Sequence, residues 1–144
     1  PTLEEEKQIV RAHVKSSFVQ PTPVIDTARI IKARELVKQV YVDERIEQYV
    51  TDLVFATRVP EKYGLSKIKD YIAFSAGPRA SINLALAARA CAFIKRRGYV
   101  VPEDVREVAA DVLRHRIGLS YEADAANVKA EDIIRELINK VEVP

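Results

Sequence analysis

The sequence predicts an all-α fold, a helical bundle of about six helices. Glycine occupies only four of the 144 positions, and stretches that alternate apolar and polar residues are nearly missing. Most of the chain instead combines helix-start residues with apolar positions three and four residues apart. Hydrophobic residues make up 48% of the chain, which is enough to build the core of one domain of ordinary size.

The first two predicted helices flank a linker. Thr2 can cap a helix whose first turn holds three consecutive glutamates, which suit the positive end of the helix dipole. We expect this helix to end near His13. Two prolines stiffen the segment 16–26. A second helix should begin at residue 26 or 27 and end near Val37.

The third predicted helix begins at Asp43 and ends before Pro60. Its apolar residues recur at spacings of three and four, which gives one wide apolar face. The segment 60–70 contains a glycine and several lysines, and we expect a mobile surface loop there. Residues 40–42 and 99–101 are expected to form a minor β-bridge.

Two helices that start with proline follow. Pro78 begins the fourth helix at a position where a missing N–H does no harm. From Ile82 to Ile94 this helix is apolar on nearly every side, which predicts a central helix enclosed by its neighbours. Pro102 begins the fifth helix, which should end at the cations 114–116. We expect a polar loop over 120–127 and a last helix from about residue 130 to 141.

Composition excludes several classes of protein. The net charge of +2 is too even to indicate nucleic-acid binding by itself. The single cysteine, Cys91, excludes an internal disulfide framework and a cysteine-rich zinc site, and we interpret it as a small core residue. No apolar run approaches the ~20 residues that span a bilayer. A cytoplasmic protein without a membrane segment is expected.

No complete active site is evident in the sequence. The four glycines are not spaced for a phosphate-binding loop, which needs two glycines five positions apart. The two histidines, His13 and His115, fall in different predicted helices without an acid at a recognised ligand spacing, so no metal site is predicted. The chain also lacks methionine and begins at Pro1, which suggests a segment of a longer protein.

One turn has an unfavourable local charge. Arg79 lies in the first turn of the fourth helix, where a cation faces the positive end of the dipole at a cost of ~0.3–1 kcal/mol. A bound anion would reverse that cost, because it could contact both the free N–H groups and the guanidinium. The turn therefore predicts a phosphate contact. The alternative interpretation is an exposed arginine tolerated at a small cost.

Four motifs follow one another along the chain: Ala56-Thr57-Arg58, Gly77-Pro78-Arg79-Ala80, Gly98 through Val105, and Val112 through Arg116. Together with their flanking residues, their order and spacing resemble the C-terminal lid of MoxR-family AAA+ ATPases over essentially the whole chain. Two departures stand out: Ser75-Ala76-Gly77 replaces the usual Gly-Ala-Ser, and Val101 stands where a capping threonine is common, which weakens the cap of the fifth helix.

The resemblance implies a specific site. Arg79 would be the second sensor arginine, which reaches the γ-phosphate of ATP bound in the ATPase core, with Gly77 and Pro78 beside the phosphates. Arg58, His115 and Arg116 become candidates for contact with the core or a neighbouring subunit. ATP, with Mg in the full-length protein, is the implied cofactor. The chain has no Walker motif, so we expect it not to hydrolyse ATP alone.

The resemblance also implies an organisation. Residues 1–20 would form the helix that follows the ATPase core, and residues 21–144 the lid. The expected partners are that core and neighbouring subunits of a ring, expected to be a hexamer, in a chaperone-like assembly. A von Willebrand A domain protein is a further expected partner.

Two alternatives remain open at this point. One is a stand-alone helical module that binds other proteins and is indifferent to nucleotide. The other, less favoured, is a nucleic-acid-binding helical domain, suggested by the basic run Lys95-Arg96-Arg97. Cations at a helix C-terminus are expected from the dipole alone, however, and no aromatic stacking platform accompanies them.

Overall fold

Seven α-helices, two short 3-10 helices and a two-stranded sheet make up the described part of the chain. The structure is a computed structural model, and it describes residues 1–15 and 21–144. This architecture confirms the predicted all-α bundle. The helices are α1 (Leu3–Val14), α2 (Thr27–Val37), α3 (Glu44–Ala56), α4 (Pro78–Ile94), α5 (Pro102–Leu113), α6 (Tyr121–Ala125) and α7 (Ala130–Lys140), and the strands are β1 (Ile72–Phe74) and β2 (Gly118–Leu119).

The chain divides into two compact units, residues 1–32 and 33–144. In the first unit, Thr2 caps α1 through a reciprocal pair: its hydroxyl accepts from the Glu5 N–H at 3.4 Å, and the Glu5 carboxylate accepts from the Thr2 N–H at 2.6 Å. No residue of α1 is buried. Residues 16–20 of the expected linker lie outside the described residues. The domain boundary at residue 20 stays a prediction.

The core lies in the second unit. There α5 packs against α4 and α7, and α3 contacts all three of these helices. Full burial of a large aliphatic side chain contributes about 1.5–3 kcal/mol, so these positions dominate the stability of the bundle. The largest aliphatic side chains that are completely enclosed are Leu53, Leu84, Val105, Leu113, Ile133 and Leu137.

The segment after α3 differs from the expected loop. It forms two 3-10 helices, Pro60–Tyr63 and Ser66–Tyr71. Three apolar residues of this segment are buried, whereas its lysines are exposed. The prediction of a surface loop was wrong because it weighed the lysines and the glycine over the spacing of the apolar residues. The buried residues are Pro60, Leu65 and Ile68, of which Leu65 and Ile68 belong to the hydrophobic core.

The expectation that neighbours enclose α4 on nearly every side is also wrong. Ala80, Leu84 and Ala88 are buried, but Ile82 and Leu86 are 58% and 51% exposed. These two groups of residues lie on different faces, because residues four apart share one side of a helix. No helix among the described residues is long and apolar enough to cross a bilayer.

Short elements complete the second unit. Tyr41 and Tyr99 form the expected β-bridge, in parallel orientation. The antiparallel pair of β1 and β2 and the short helix α6 were not predicted. A side chain at Gly118 would place its Cβ 2.8 Å from the Phe74 ring, so glycine permits the close approach of the two strands.

Candidate functional site

The start of α4 carries the turn that the sequence singles out. Gly77 is the N-cap residue in an extended conformation, and Pro78 is the first helical residue. No side chain caps this end, and the first turn contains no acid. Among the described residues, no carboxylate accepts a hydrogen bond from its backbone N–H groups, which leaves the positive end of the dipole uncompensated.

At the start of every other described α-helix, a carboxylate or hydroxyl oxygen accepts a hydrogen bond from a backbone N–H. Short polar side chains at these positions satisfy N–H groups that the helix itself leaves free. The start of α4 is thus the exception among the described residues. The capping side chains are Thr2 for α1, Asp26 for α2, Asp43 for α3, Asp104 for α5, Ser120 for α6 and Asp132 for α7.

Arg79 adds a cation to this uncapped end. Its side chain is exposed, and no hydrogen bond or ion pair joins its guanidinium to another described residue. The next residue, Ala80, is fully buried, so the backbone that carries Arg79 is packed against the core while the side chain remains available. A free guanidinium beside free N–H groups suits a phosphate. The first turn offers no carboxylate for Mg.

The end of α3 holds the peptide that precedes this turn. The Thr57 hydroxyl accepts a hydrogen bond from the Ala76 N–H at 3.1 Å, and Arg58 Nε donates to the Ala76 carbonyl at 2.9 Å. Thr57 is 2% exposed and Ala76 is fully buried. The Arg58 guanidinium also lies 5.6 Å from the centre of the Phe55 ring, within cation–π range. Sequence reasoning named Arg58 but missed this contact.

The other two interface candidates lie after α5, apart from these contacts. His115 is exposed, and Arg116 is partly buried with its Nε enclosed and without a hydrogen-bond partner in the described part of the chain. No hydrogen bond or ion pair links either residue to the start of α4 among the described residues. Their role at an interface, like that of Arg58, stays a prediction.

A buried ionic cluster joins the end of α4 to the start of α5. Asp104 is fully buried, and its carboxylate accepts from Arg97 Nη1 at 2.6 Å, from Lys95 Nζ at 3.3 Å and from the Val101 N–H at 3.0 Å. Burial alone would raise the pKa of Asp104, but these hydrogen bonds outweigh it and lower the pKa to about 2. The carboxylate therefore stays ionised at neutral pH.

The Val101 side chain makes no cap hydrogen bond, as expected, but the cluster supplies the reciprocal contact at this helix start. Asp104 supplies the cap from three residues ahead, because its carboxylate receives the Val101 N–H. Cys91 is buried beside it, and its thiol donates weakly to Asp104 Oδ1 at 3.6 Å. Burial, followed by the charge of Asp104, raises the pKa of the Cys91 thiol. A raised pKa keeps the thiol protonated, which fits a core role.

A separate open groove of about 830 Å³ lies between the residues around Leu65 and helix α7. Gly77, Pro78 and Arg79 do not line it. All three residues are exposed, so the start of α4 forms an exposed edge. An exposed edge can contribute contacts to a ligand that another domain holds, but it cannot enclose one by itself.

Comparisons with known proteins agree on a family. Residues 66–137 match the model of the AAA lid domain. The chain is 38% identical over 144 residues to chaperone MoxR1 of Mycobacterium tuberculosis and 32% identical over 145 residues to the uncharacterized protein YeaC of Bacillus subtilis; each alignment covers all of this chain, but only 38% and 42% of the relative. The chain thus spans about two fifths of these relatives.

A solved structure gives the same result in three dimensions. A crystal structure from Cytophaga hutchinsonii, of a protein described as a candidate ATPase, superposes with a TM-score of 0.86 at 38% sequence identity. The match covers 99% of this chain and 43% of that one. Protein MoxR of Paracoccus denitrificans is 42% identical over 79 residues, which are 52% of this chain and 23% of that protein. The chain belongs to the AAA lid domain family and is the lid region of a MoxR-family AAA+ protein.

Proposed function

We propose that Arg79 contacts the γ-phosphate of ATP when this lid is joined to an ATPase core, and that this contact couples the position of the lid to the state of the nucleotide. The observation that supports the proposal most strongly is the uncapped, acid-free start of α4 with its exposed, unpartnered guanidinium. Gly77 and Pro78 lie on the phosphate side of the same turn.

The chemistry of the turn suits a terminal phosphate. A guanidinium presents a planar fork of N–H donors that pairs with two phosphate oxygens. The N–H groups at the start of α4 add donors and a positive potential from the same direction. Because the cation and the dipole repel each other without an anion, phosphate binding also removes an unfavourable interaction.

The role of Arg79 in hydrolysis is electrostatic. As the terminal phosphoryl group is transferred, negative charge is spread over its oxygens, and a cation held beside it stabilises that charge. Loss of the γ-phosphate removes the partner of Arg79, so the lid orientation that depended on the contact becomes less favourable. The bond that is broken belongs to the nucleotide, and the described residues of this chain contribute the Arg79 guanidinium and the N–H groups at the start of α4.

The setting of this activity is part of the proposal. The lid would act in a cytoplasmic, chaperone-like ring of ATPase subunits, in contact with its own core and with neighbouring subunits through Arg58, His115 and Arg116. The chaperone role follows the name of the Mycobacterium tuberculosis relative. A protein with a von Willebrand A domain remains an expected partner. Residues 1–20 would connect the core to a lid that starts at residue 21.

Replacement of Arg79 tests the sensor role. In a protein that carries this chain joined to an ATPase core, Arg79→Ala should slow ATP hydrolysis on the order of 100-fold, because one stabilising donor group of the transition state is lost. The free energy of unfolding of the chain itself should change by less than about 0.5 kcal/mol, as for other exposed positions. Steady-state hydrolysis and urea denaturation measure the two effects.

Arg135→Ala provides the matched control. Arg135 is also an exposed helical arginine, but it lies on α7 and pairs with Asp132. Its loss should leave hydrolysis unchanged, because Arg135 lies on a different helix from Arg79. Its loss should also change stability little, since exposed ion pairs contribute little to stability. Normal hydrolysis by Arg79→Ala would contradict the sensor role.

A further inference from the structure

The contact between α3 and the turn before α4 is more than general packing. Both backbone polar groups of Ala76 are bound by adjacent residues of one helix end: the N–H, before its Cα, by Thr57 and the carbonyl, after its Cα, by Arg58. Ala76 immediately precedes Gly77. Among the described residues, these two bonds are the only hydrogen bonds that join the segment 75–79 to another element.

The Thr57 hydroxyl has a fixed orientation. Its single proton is donated to the Val54 carbonyl at 2.7 Å, so a lone pair is left to accept the Ala76 N–H. The side chain is buried, which excludes water as a competing partner. A buried N–H without an acceptor is costly, so a threonine or serine hydroxyl is needed at this position for the peptide to keep its orientation.

Arg58 is held at two points. Its Nε donates to the Ala76 carbonyl, and the central carbon of its guanidinium lies over the Phe55 ring, 5.6 Å from the ring centre. Arg58 is exposed overall, yet the specific use of Nε distinguishes it from a freely moving surface cation. The pair of Thr57 and Arg58, which we term the Ala76 clamp, fixes the direction in which the chain enters α4.

The clamp matters because the turn itself is weakly constrained. Gly77 has no side chain, and its backbone is therefore the most permissive in the segment. Pro78 fixes only its own φ angle, and no side chain caps the helix start. An error in the direction of the Ala76 peptide would thus move Arg79, and a displacement of about 1 Å in a catalytic group can reduce a rate on the order of 100-fold.

We infer that Thr57 and Arg58 are positioning residues for Arg79: they set the location of its guanidinium by clamping the Ala76 peptide. This inference rests on the proposed sensor function, which it deepens by naming the residues on which the sensor depends. Neither residue needs to touch nucleotide. The alternative is that the clamp stabilises the fold without influence on the sensor.

A double-mutant cycle separates these possibilities in the protein that carries the ATPase core. Thr57→Val keeps the shape of the side chain but removes the hydroxyl. We expect it to lower kcat for ATP hydrolysis by about 10-fold in the wild-type background and by less than about 2-fold in the Arg79→Ala background, because a misplaced Arg79 cannot matter once Arg79 is absent. Thr57→Ser, which retains the hydroxyl, should restore most of the rate.

Two further variants complete the design. Thr51→Val on the same helix is the matched control: among the described residues, the Thr51 hydroxyl bonds only the Glu47 carbonyl within α3, so hydrolysis should be unaffected. Arg58→Met removes the second half of the clamp at an exposed position. It should show the same dependence on Arg79, and it carries the test if Thr57→Val does not fold.

The outcomes are distinct. An equal loss of rate in both backgrounds, or no loss in either, would overturn the positioning role while leaving the sensor intact. If Arg79→Ala itself has no effect on hydrolysis, the proposed function fails first, and the positioning role fails with it.

Discussion

The two helices that begin with proline, α4 and α5, have opposite electrostatics at their first turns. The start of α5 is closed: the buried carboxylate of Asp104 accepts the Val101 N–H and is neutralised by Arg97 and Lys95. The start of α4 is open, with no cap, no acid and the exposed cation of Arg79. The same proline signal therefore starts two helices whose first turns differ in charge and in capping.

Under the proposed function, the two starts separate stability from ligand contact. The closed start joins the C-terminal end of α4 to α5 through charges that are balanced inside the protein. The open start, at the other end of α4, leaves its positive potential for an external anion. One helix thus carries a structural anchor at its C-terminal end and a candidate phosphate contact at its N-terminal end.

Loss of the closed start should have the largest effect on stability. Asp104→Ala would remove the partner of two cations and the cap of α5, and breaking a buried ion pair in this way costs about 3–5 kcal/mol. Because Lys95 and Arg97 retain partial access to solvent, we expect the free energy of unfolding to fall by about 3 kcal/mol, the lower end of this range. Urea denaturation of the chain at pH 7 measures this change.

Acid titration and a second aspartate are the controls for this prediction. The folded-state pKa of Asp104 is about 2, below its ordinary value of 3.8, so its stabilisation is present above about pH 4 and is lost as the pH falls towards 2. The difference between wild type and Asp104→Ala should shrink by about 2 kcal/mol over that window. Asp111→Ala, at an exposed ion pair, should change stability by less than about 0.5 kcal/mol. A difference that does not vary with pH would contradict the role of the charge.

Closing the open start should have a smaller effect of opposite sign. Gly77 has a φ of −93°, and an added Cβ would meet no atom within 4 Å. Gly77→Asp should therefore cap α4 and stabilise the chain by about 0.5 kcal/mol. With the ATPase core present, the same carboxylate should weaken the binding of a non-hydrolysable ATP analogue, because it repels the phosphate.

Gly77→Ala separates the effect of the added charge from the effect of the added side-chain carbon. It should give no gain in stability, since alanine caps helices poorly. It should also weaken the binding of the analogue less than Gly77→Asp does. If Gly77→Asp stabilised the chain but left analogue binding unchanged, phosphate contact at this end would be wrong.

Features that depend on nearby residues could be predicted from local sequence patterns. The helix starts at Asp43, Pro78 and Pro102 could be predicted because caps and proline act within one turn. The unusual charge of Arg79 was visible for the same reason. These features explain why the fold class and the candidate turn emerged from the sequence.

Features that depend on distant residues could not be predicted in this way. Thr57 and Ala76 are 19 positions apart, and nothing in either segment indicates that they meet. The burial of Asp104 depends on how α4 and α5 pack, so an acid in the first turn of a helix was interpreted only as a complement to the dipole. The exposed face of α4 was missed because an apolar sequence does not reveal which neighbours cover it.

The central claim is that Arg79 recognises the terminal phosphate of ATP. The most direct test measures the Kd of a non-hydrolysable ATP analogue and of ADP for wild type and Arg79→Ala, with the ATPase core present. A charge-assisted contact to the γ-phosphate predicts that the Kd of the analogue rises by at least about 10-fold while that of ADP is unchanged. An equal rise for both nucleotides, or no rise for either, would contradict the account.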